Sequence, residues 1–465
     1  MYTGLKIQND FTDAYQDMIL SEEHELVKLK RIIPWKEIDR IYKKCYPARV
    51  GNSTKETSMV IGLILLKHLF NRSYRELIKE LHVNVGIMYF CSVSFLDIET
   101  ARLKAKEKEK RTGKKTEGYV IHYSTLSRIV KRLGSRNIEK IEQLFRDKLI
   151  QAGIIKGKTL YSDTTSLEKN IAYPTEVGLL KRVVEYAEQV VQGVINKKEM
   201  IKSKVIEKAN KVAKVYYSAG KKTKELLSSV TKQMLEIAHK TVEKAEKKIK
   251  KAGTVVDIII TAIYEKVKTV GKKILKQVED KLNGKQVAHK IVSYYEPHVR
   301  ALPKGKVNKR CEFGTKLRID MSEEKYITNY QLYEGNPNDV TMLEDIIKQH
   351  KETFPKSFKN AGLDRGFYDE EKIQQLEAEH QINLAIPHKK RRGEALPKRK
   401  QRIYNKRAMI EAKISEGKRV TGMNKSYYKG FEGDKITAAL AIWSLNARQL
   451  LRDIKKKPNL IKKLV

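Results

Sequence analysis

Three acidic residues are the first candidates for chemistry: Asp163 in KTLYSDTTSLEKNIAYPTE, Asp364 in KNAGLDRGFYDEEK, and Glu411 in a basic stretch near the C-terminus. The two aspartates each end a short apolar run, and strand ends are where α/β sheets present ligands. Glu411 belongs to a set with Tyr404, Arg407 and Lys418. At about 100° per residue these four fall near 0°, 300°, 340° and 320°, a stripe about 60° wide on one helix. One carboxylate, two cations and a phenol suit a surface that faces metal-bound phosphate. A solvated helix face would carry the same residues, and an aspartate after a strand can simply cap a turn. Taken together, the acids could clamp two divalent ions about 3.5–4 Å apart over a phosphodiester. Mg²⁺ takes hard oxygen ligands and keeps waters, so three carboxylates suffice without thiolates or a histidine pair. The chemistry expected is metal-dependent cleavage or transfer of nucleic-acid strands.

Composition agrees with a polyanionic partner. The chain has 465 residues, with 96 Lys and Arg against 56 Asp and Glu and a formal charge of +40, which would repel itself without one. The best apolar run, MVIGLILLKHLF, contains Lys67 and falls short of the ~20 residues a spanning helix needs. No membrane partner is expected. The N-terminus reads as no signal peptide, and the three cysteines (Cys45, Cys91, Cys311) form no CxxC pair. The cysteines fit a reducing cytoplasm and argue against structural zinc.

The elements that must position the acids follow from periodicity. Residues 1–150 read as short helices, with a capping box at Ser73 and Glu76 and a further helix from Tyr123. Such helices fit a DNA-binding domain as well as any helical bundle. The charged run ARLKAKEKEKRTGKKTEG reads as a loop. TLYSD gives a strand ending at Asp163, and residues 177–285, rich in Lys, Glu, Val, Ile and Ala, read as a helical insertion. HKIVSYY, CEFGTKLRID, YITNYQLYEG, NAGLD and INLAIP read as strands, with turns at Pro303, Gly305 and Asn308, and the last three alternate with helices. The expected architecture is α/β, a mixed sheet covered by helices. The boundaries are 155–176 with 286–450 for the sheet domain and 451–465 for a basic tail. His388–Arg402 is a basic segment placed to hold DNA or to face solvent; Glu168 and Asn170, close after Asp163, could orient a ligand or water but are expected to cap the insertion's first helix.

These segments resemble the DDE transposases of bacterial insertion sequences, in the branch with a Y-x2-R-x3-E-x6-K signature. Tyr404, Arg407, Glu411 and Lys418 match that signature without a gap. The likeness extends to Asp163–Glu176, Glu312–Lys316 (EFGTK), Glu334–Asp339 (EGNPND), Asp364–Asp369 and the tail FEGDKITAALAIWSLNARQL. The resemblance implies an RNase H-like catalytic core with Asp163, Asp364 and Glu411 as catalytic, metal-binding triad. It implies that Tyr404, Arg407 and Lys418 contact DNA phosphates, and that two Mg²⁺ ions serve each site, with Mn²⁺ able to substitute. The partners implied are double-stranded DNA (element ends and target) and a second copy of the chain on paired ends, in the bacterial cytoplasm at the nucleoid. One departure is Gly417, directly before Lys418, which is expected to end the helix. A nuclease that never joins strands, and a non-catalytic DNA-binding protein, are the rival readings.

Overall fold

A computed structural model describes residues 20–46, 54–196, 199–200, 203–221, 223–252, 257–306, 309–388 and 396–465. The chain divides into two compact units. The first comprises residues 1–167, 316–333 and 337–465; the second comprises 168–315 and 334–336.

Among the described residues of the first unit, seven helices precede the sheet: α1 (Glu25–Ile32), α2 (Trp35–Lys44), α3 (Thr57–Leu69), α4 (Tyr74–Leu81), α5 (Val85–Phe90), α6 (Phe95–Thr112) and α7 (Tyr123–Gln151). The capping box opens α4, where the Ser73 hydroxyl accepts from Glu76 N and the Glu76 carboxylate from Ser73 N. The run expected as a loop is mostly helix α6. A second capping box, Ser94 with Asp97, starts it, and Gly113, at φ 66°, ends it. Between those stops lie Ala, Lys, Glu and Arg, which are intrinsic helix formers, so charge alone does not unfold the segment.

Strand β1 (Thr159–Lys169) continues six residues beyond Asp163 rather than ending there. It is followed along the chain by β2 (Arg300–Lys306), β3 (Lys309–Ser322), β4 (Ile327–Tyr333), β5 (Asn360–Leu363), β6 (Asn383–Ala385) and β7 (Lys425–Ser426). In the first unit the sheet order is β4, β3, β1, β5, β6, with β7 beside β1. β4 is antiparallel to β3, while β5 is parallel to both β1 and β6. Helices α13 (Leu343–Thr353), α14 (Glu370–His380), α15 (Lys398–Asn405), α16 (Ala408–Val420) and α17 (Gly430–Lys456) complete this unit; residues 389–395 of the basic segment lie outside the described residues. Side chains alternate across the sheet. Leu160 joins the large core shared with α1–α7, and Tyr161 the opposite core with Ile410 and Ile414 of α16. On the Leu160 face, Ser162 Oγ donates to Asp320 Oδ1 at 2.6 Å, and Arg318, fully buried, pairs with Asp320 at 3.0 Å. A buried charge needs such a partner, and the Ser162 hydrogen bond to Asp320 ties β1 to β3.

The second unit holds α8 (Glu176–Gln192), α9 (Lys204–Ser218), α10 (Lys224–Ala252), α11 (Ile258–Lys266) and α12 (Lys272–Leu282) around a core of their own. Thr175, rather than Glu168 or Asn170, caps α8, accepting from Gly178 N at 3.0 Å. HKIVSYY is not a strand. Ile291 N bonds the Gln277 side chain at 2.9 Å, and Tyr294 stacks on Tyr186 at 4.8 Å, so its apolar residues cover the helical core. Pro303 and Gly305, expected in a turn, lie in β2 instead, where Pro303 opposes Cys311. An edge position tolerates proline because no ladder donor is required there. Asn308 lies outside the described residues.

Candidate active site

The β1–β5 register places the first two acids. Thr159 pairs with Asn360 and the ladder runs in parallel to Ser162 opposite Leu363; one further step puts Asp163 beside Asp364, on strands about 4.8 Å apart. Asp163 shares the face of Tyr161, two residues back, and that face is the one α16 covers through Ile410 and Ile414. Glu411 follows Ile410 in the first turn of α16. The helix is anchored from its far side, where buried Lys413 donates to Gln449 at 2.9 Å and Glu416 pairs with Arg452 at 2.8 Å.

The three acids meet on one guanidinium. Arg407 Nη1 lies 3.2 Å from Asp163 Oδ2, and Nη2 lies 2.5 Å from Glu411 Oε1 and 3.9 Å from Asp364 Oδ1. Burial raises the Asp163 carboxyl to about 6; its bond from Thr164 N and the Arg407 charge pull it down, and Asp364 and Glu411 push it up. For Arg407, burial lowers the pKa, but Asp364, Asp163 and Glu411 together outweigh it and the group is raised. The acids are gathered around a cation, not into a chelate. Among the described residues, no group of three or more His, Cys, Asp or Glu is arranged to hold a metal ion. The donor set still fits a hard divalent cation by its chemistry, as three carboxylates already share one positive centre. For such an ion to bind among the same oxygens, the guanidinium has to move aside.

The single-helix stripe does not survive. Tyr404 lies in α15, Arg407 is the residue before α16, and Glu411 and Lys418 stand in the first and last turns of α16. Lys406 N bonds Ile403 O at 3.2 Å and Arg407 N bonds Tyr404 O at 2.8 Å, a tightened turn that separates the two helices. The Tyr404 ring remains 5.5 Å from the Arg407 guanidinium carbon. Lys418 follows Glu411 by seven residues, about 10 Å along the axis, so it extends the site rather than joining the cluster. Gly417 does not end the helix. A Cβ there would come within 2.7 Å of Met423 Cε and 3.0 Å of Leu445 Cδ1, so the glycine serves close packing inside α16. Sequence reasoning missed Arg318 and Asp320, whose buried pairing lies on the other face of β1; their alternation in KLRID was the available signal.

Two family models match the chain: "Transposase domain (DUF772)" over residues 14–100 and "Transposase DDE domain" over residues 290–447. The chain belongs to the DDE transposases of insertion-sequence type. It is an enzyme of DNA cleavage and strand transfer, and its function is transposition. The second match includes Asp364 and Glu411, and the first covers α1–α5. The transposase is also 25% identical over 181 residues to a Rhizobium meliloti protein described as "Uncharacterized protein ORF8 in nfe locus", spanning 38% of this chain and 78% of that protein. No solved structure matches. No helix among the described residues is long and apolar enough to cross a membrane.

Proposed function

We propose that the sheet domain is an RNase H-like core in which Asp163, Asp364 and Glu411 are the catalytic triad and the ligands of two Mg²⁺ ions, replaceable by Mn²⁺. The carrying observation is that folding draws carboxylates from β1, the end of β5 and the first turn of α16 onto the single guanidinium of Arg407. When bound, the ions would activate the attacking oxygen and stabilise the leaving one. The residues of the chain orient the reactants. Asp163 and Asp364 fix the two strand-end positions, and Glu411 closes the site from the helix. Arg407 and Lys418 hold phosphates, the first through a bidentate fork and the second as a point charge, while the Tyr404 phenol supports Arg407 and donates a hydrogen bond to the backbone of the DNA. Water attacks the phosphodiester at the element end and the bond to the 3′-oxygen breaks, freeing a 3′-hydroxyl. That hydroxyl then attacks a target phosphate, joining the element and releasing a target 3′-hydroxyl.

In this reading residues 1–150 recognise the terminal inverted repeats, 155–176 with 286–450 form the catalytic domain, and 177–285 is the helical insertion. The enzyme works as a homodimer on paired ends in the bacterial cytoplasm. The deciding experiment is Asp163→Asn assayed on end DNA with Mg²⁺. Cleavage is lost while binding of the ends, measured by gel shift, persists. A variant that still nicks donor DNA removes Asp163 from the triad.

A further inference from the structure

Two motifs left without a task by this chemistry, EFGTK and EGNPND, contribute one contact beside the acids. Lys316 Nζ lies 2.7 Å from Asp339 Oδ1 and donates to Pro337 O, also at 2.7 Å. The same Asp339 oxygen accepts from Thr164 Oγ1 at 3.2 Å. Thr164 follows Asp163, and its N–H bonds the Asp163 carboxylate at 2.7 Å. The other Asp339 oxygen rests against Gly366, two residues after Asp364; a Cβ at that glycine would stand 2.7 Å from Oδ2. The short turns Asp339–Met342 and Arg365–Phe367 pack on one another there. One carboxylate therefore contacts the residue after Asp163 and the residue two after Asp364. Lys316, whose side chain is only 11% exposed, offsets its charge. An unpaired fourth carboxylate would add repulsion to a cluster that already holds three.

We propose that Asp339, charge-paired by Lys316, is a positioning residue that sets the spacing of Asp163 and Asp364 and thereby the affinity of the site for divalent cations. This rests on the triad reading above. Asp339 holds Thr164 on one side and stops the Asp364 turn on the other. Groups that orient metal ligands in this way carry about 10–100-fold in metal affinity.

The test titrates full-length protein with Mn²⁺ by calorimetry. Asp339→Ala is expected to weaken binding by at least about 10-fold, with a cooperative melt and with binding of end DNA in EDTA unchanged. In cleavage assays its half-saturating Mn²⁺ rises by the same factor, and saturating Mn²⁺ restores most of kcat, whereas no concentration rescues Asp163→Asn. Gly366→Ala reaches the same defect from the other side, because its methyl displaces Oδ2. The double variant Gly366→Ala/Asp339→Ala is then no worse than Asp339→Ala, since the displaced group is gone. Should Asp339→Ala fail to fold, Gly366→Ala alone decides. Mn²⁺ affinities equal to wild type in both single variants overturn the inference while leaving the triad standing. Wild-type protein without Asp163-dependent Mn²⁺ binding overturns the triad reading, and this inference with it.

Discussion

Replacing Arg407 by alanine removes a positive group that three carboxylates share. Its side chain is 13% exposed, and that of Asp163 19%, whereas Asp364 and Glu411 are about half exposed at 49% and 55%. Removing one partner of a buried pair costs about 3–5 kcal/mol, and solvent-screened pairs contribute roughly 1 kcal/mol or less. Only Asp163 approaches the buried case, so Arg407→Ala should lose about 2–3 kcal/mol of stability at neutral pH and low salt. A divalent cation then supplies the missing counter-charge. At 100 times its Kd a ligand stabilises by about 2.7 kcal/mol, and in the variant no guanidinium competes for the same oxygens. Denaturant melts with EDTA and with saturating Mg²⁺ measure both effects. Arg407→Lys should fall between, because a single ammonium cannot reproduce the planar fork. An EDTA melt equal to wild type, or a Mg²⁺ response no larger than wild type's, refutes the shared counter-charge.

Glu142 is 1% exposed, with Arg146 Nη2 at 3.3 Å, and burial raises its carboxyl to about 7, more than Arg146 lowers it. A raised acid favours the folded state when protonated, so this contribution is present below about pH 4.5 and is lost as pH rises through 7. Glu142→Gln should therefore stabilise at pH 8 by up to about 3 kcal/mol and give no gain near pH 4, as measured by urea melts. His350 bonds Gly157 O at 2.9 Å, and burial lowers its pKa to about 4. Its contribution is present above about pH 6.5 and is lost as pH falls towards 4, at about 1.4 kcal/mol per unit; His350→Gln should flatten that acid limb in pH-dependent melts. Gly417→Ala should cost about 1–3 kcal/mol, since a methyl would meet Met423 and Leu445, with loss of cooperativity absent from the thermal melt.

Much of the site was written in local pattern. The short apolar runs before Asp163 and Asp364 made them strand candidates, and both lie in or directly after a strand of one parallel pair. The Arg407–Glu411 spacing predicted neighbours one helical turn apart, and their side chains do meet. Periodicity failed where a different partner took the residues. Ile291 and Tyr294 look like strand residues, yet they line a helical core; the run after Ser94 looks solvated, yet two caps and good helix formers hold it as α6. Glycine was ambiguous for the same reason. Only the nearness of Leu445 and Met423 reveals that Gly417 is there for packing.

By itself, the order of residues determined which groups could act: hard oxygen donors, phosphate-binding cations and a strongly basic chain suited to a polyanion. The tertiary structure alone decided that three acids converge on Arg407, that Asp339 reaches residues next to or near both strand aspartates, and that Tyr404 stands on a separate helix from Glu411. Local spacing specifies a face or a turn, which depends on a few neighbouring residues. Convergence depends on strand register and on which side of the sheet a helix packs, and those are set by buried contacts between residues far apart in the chain.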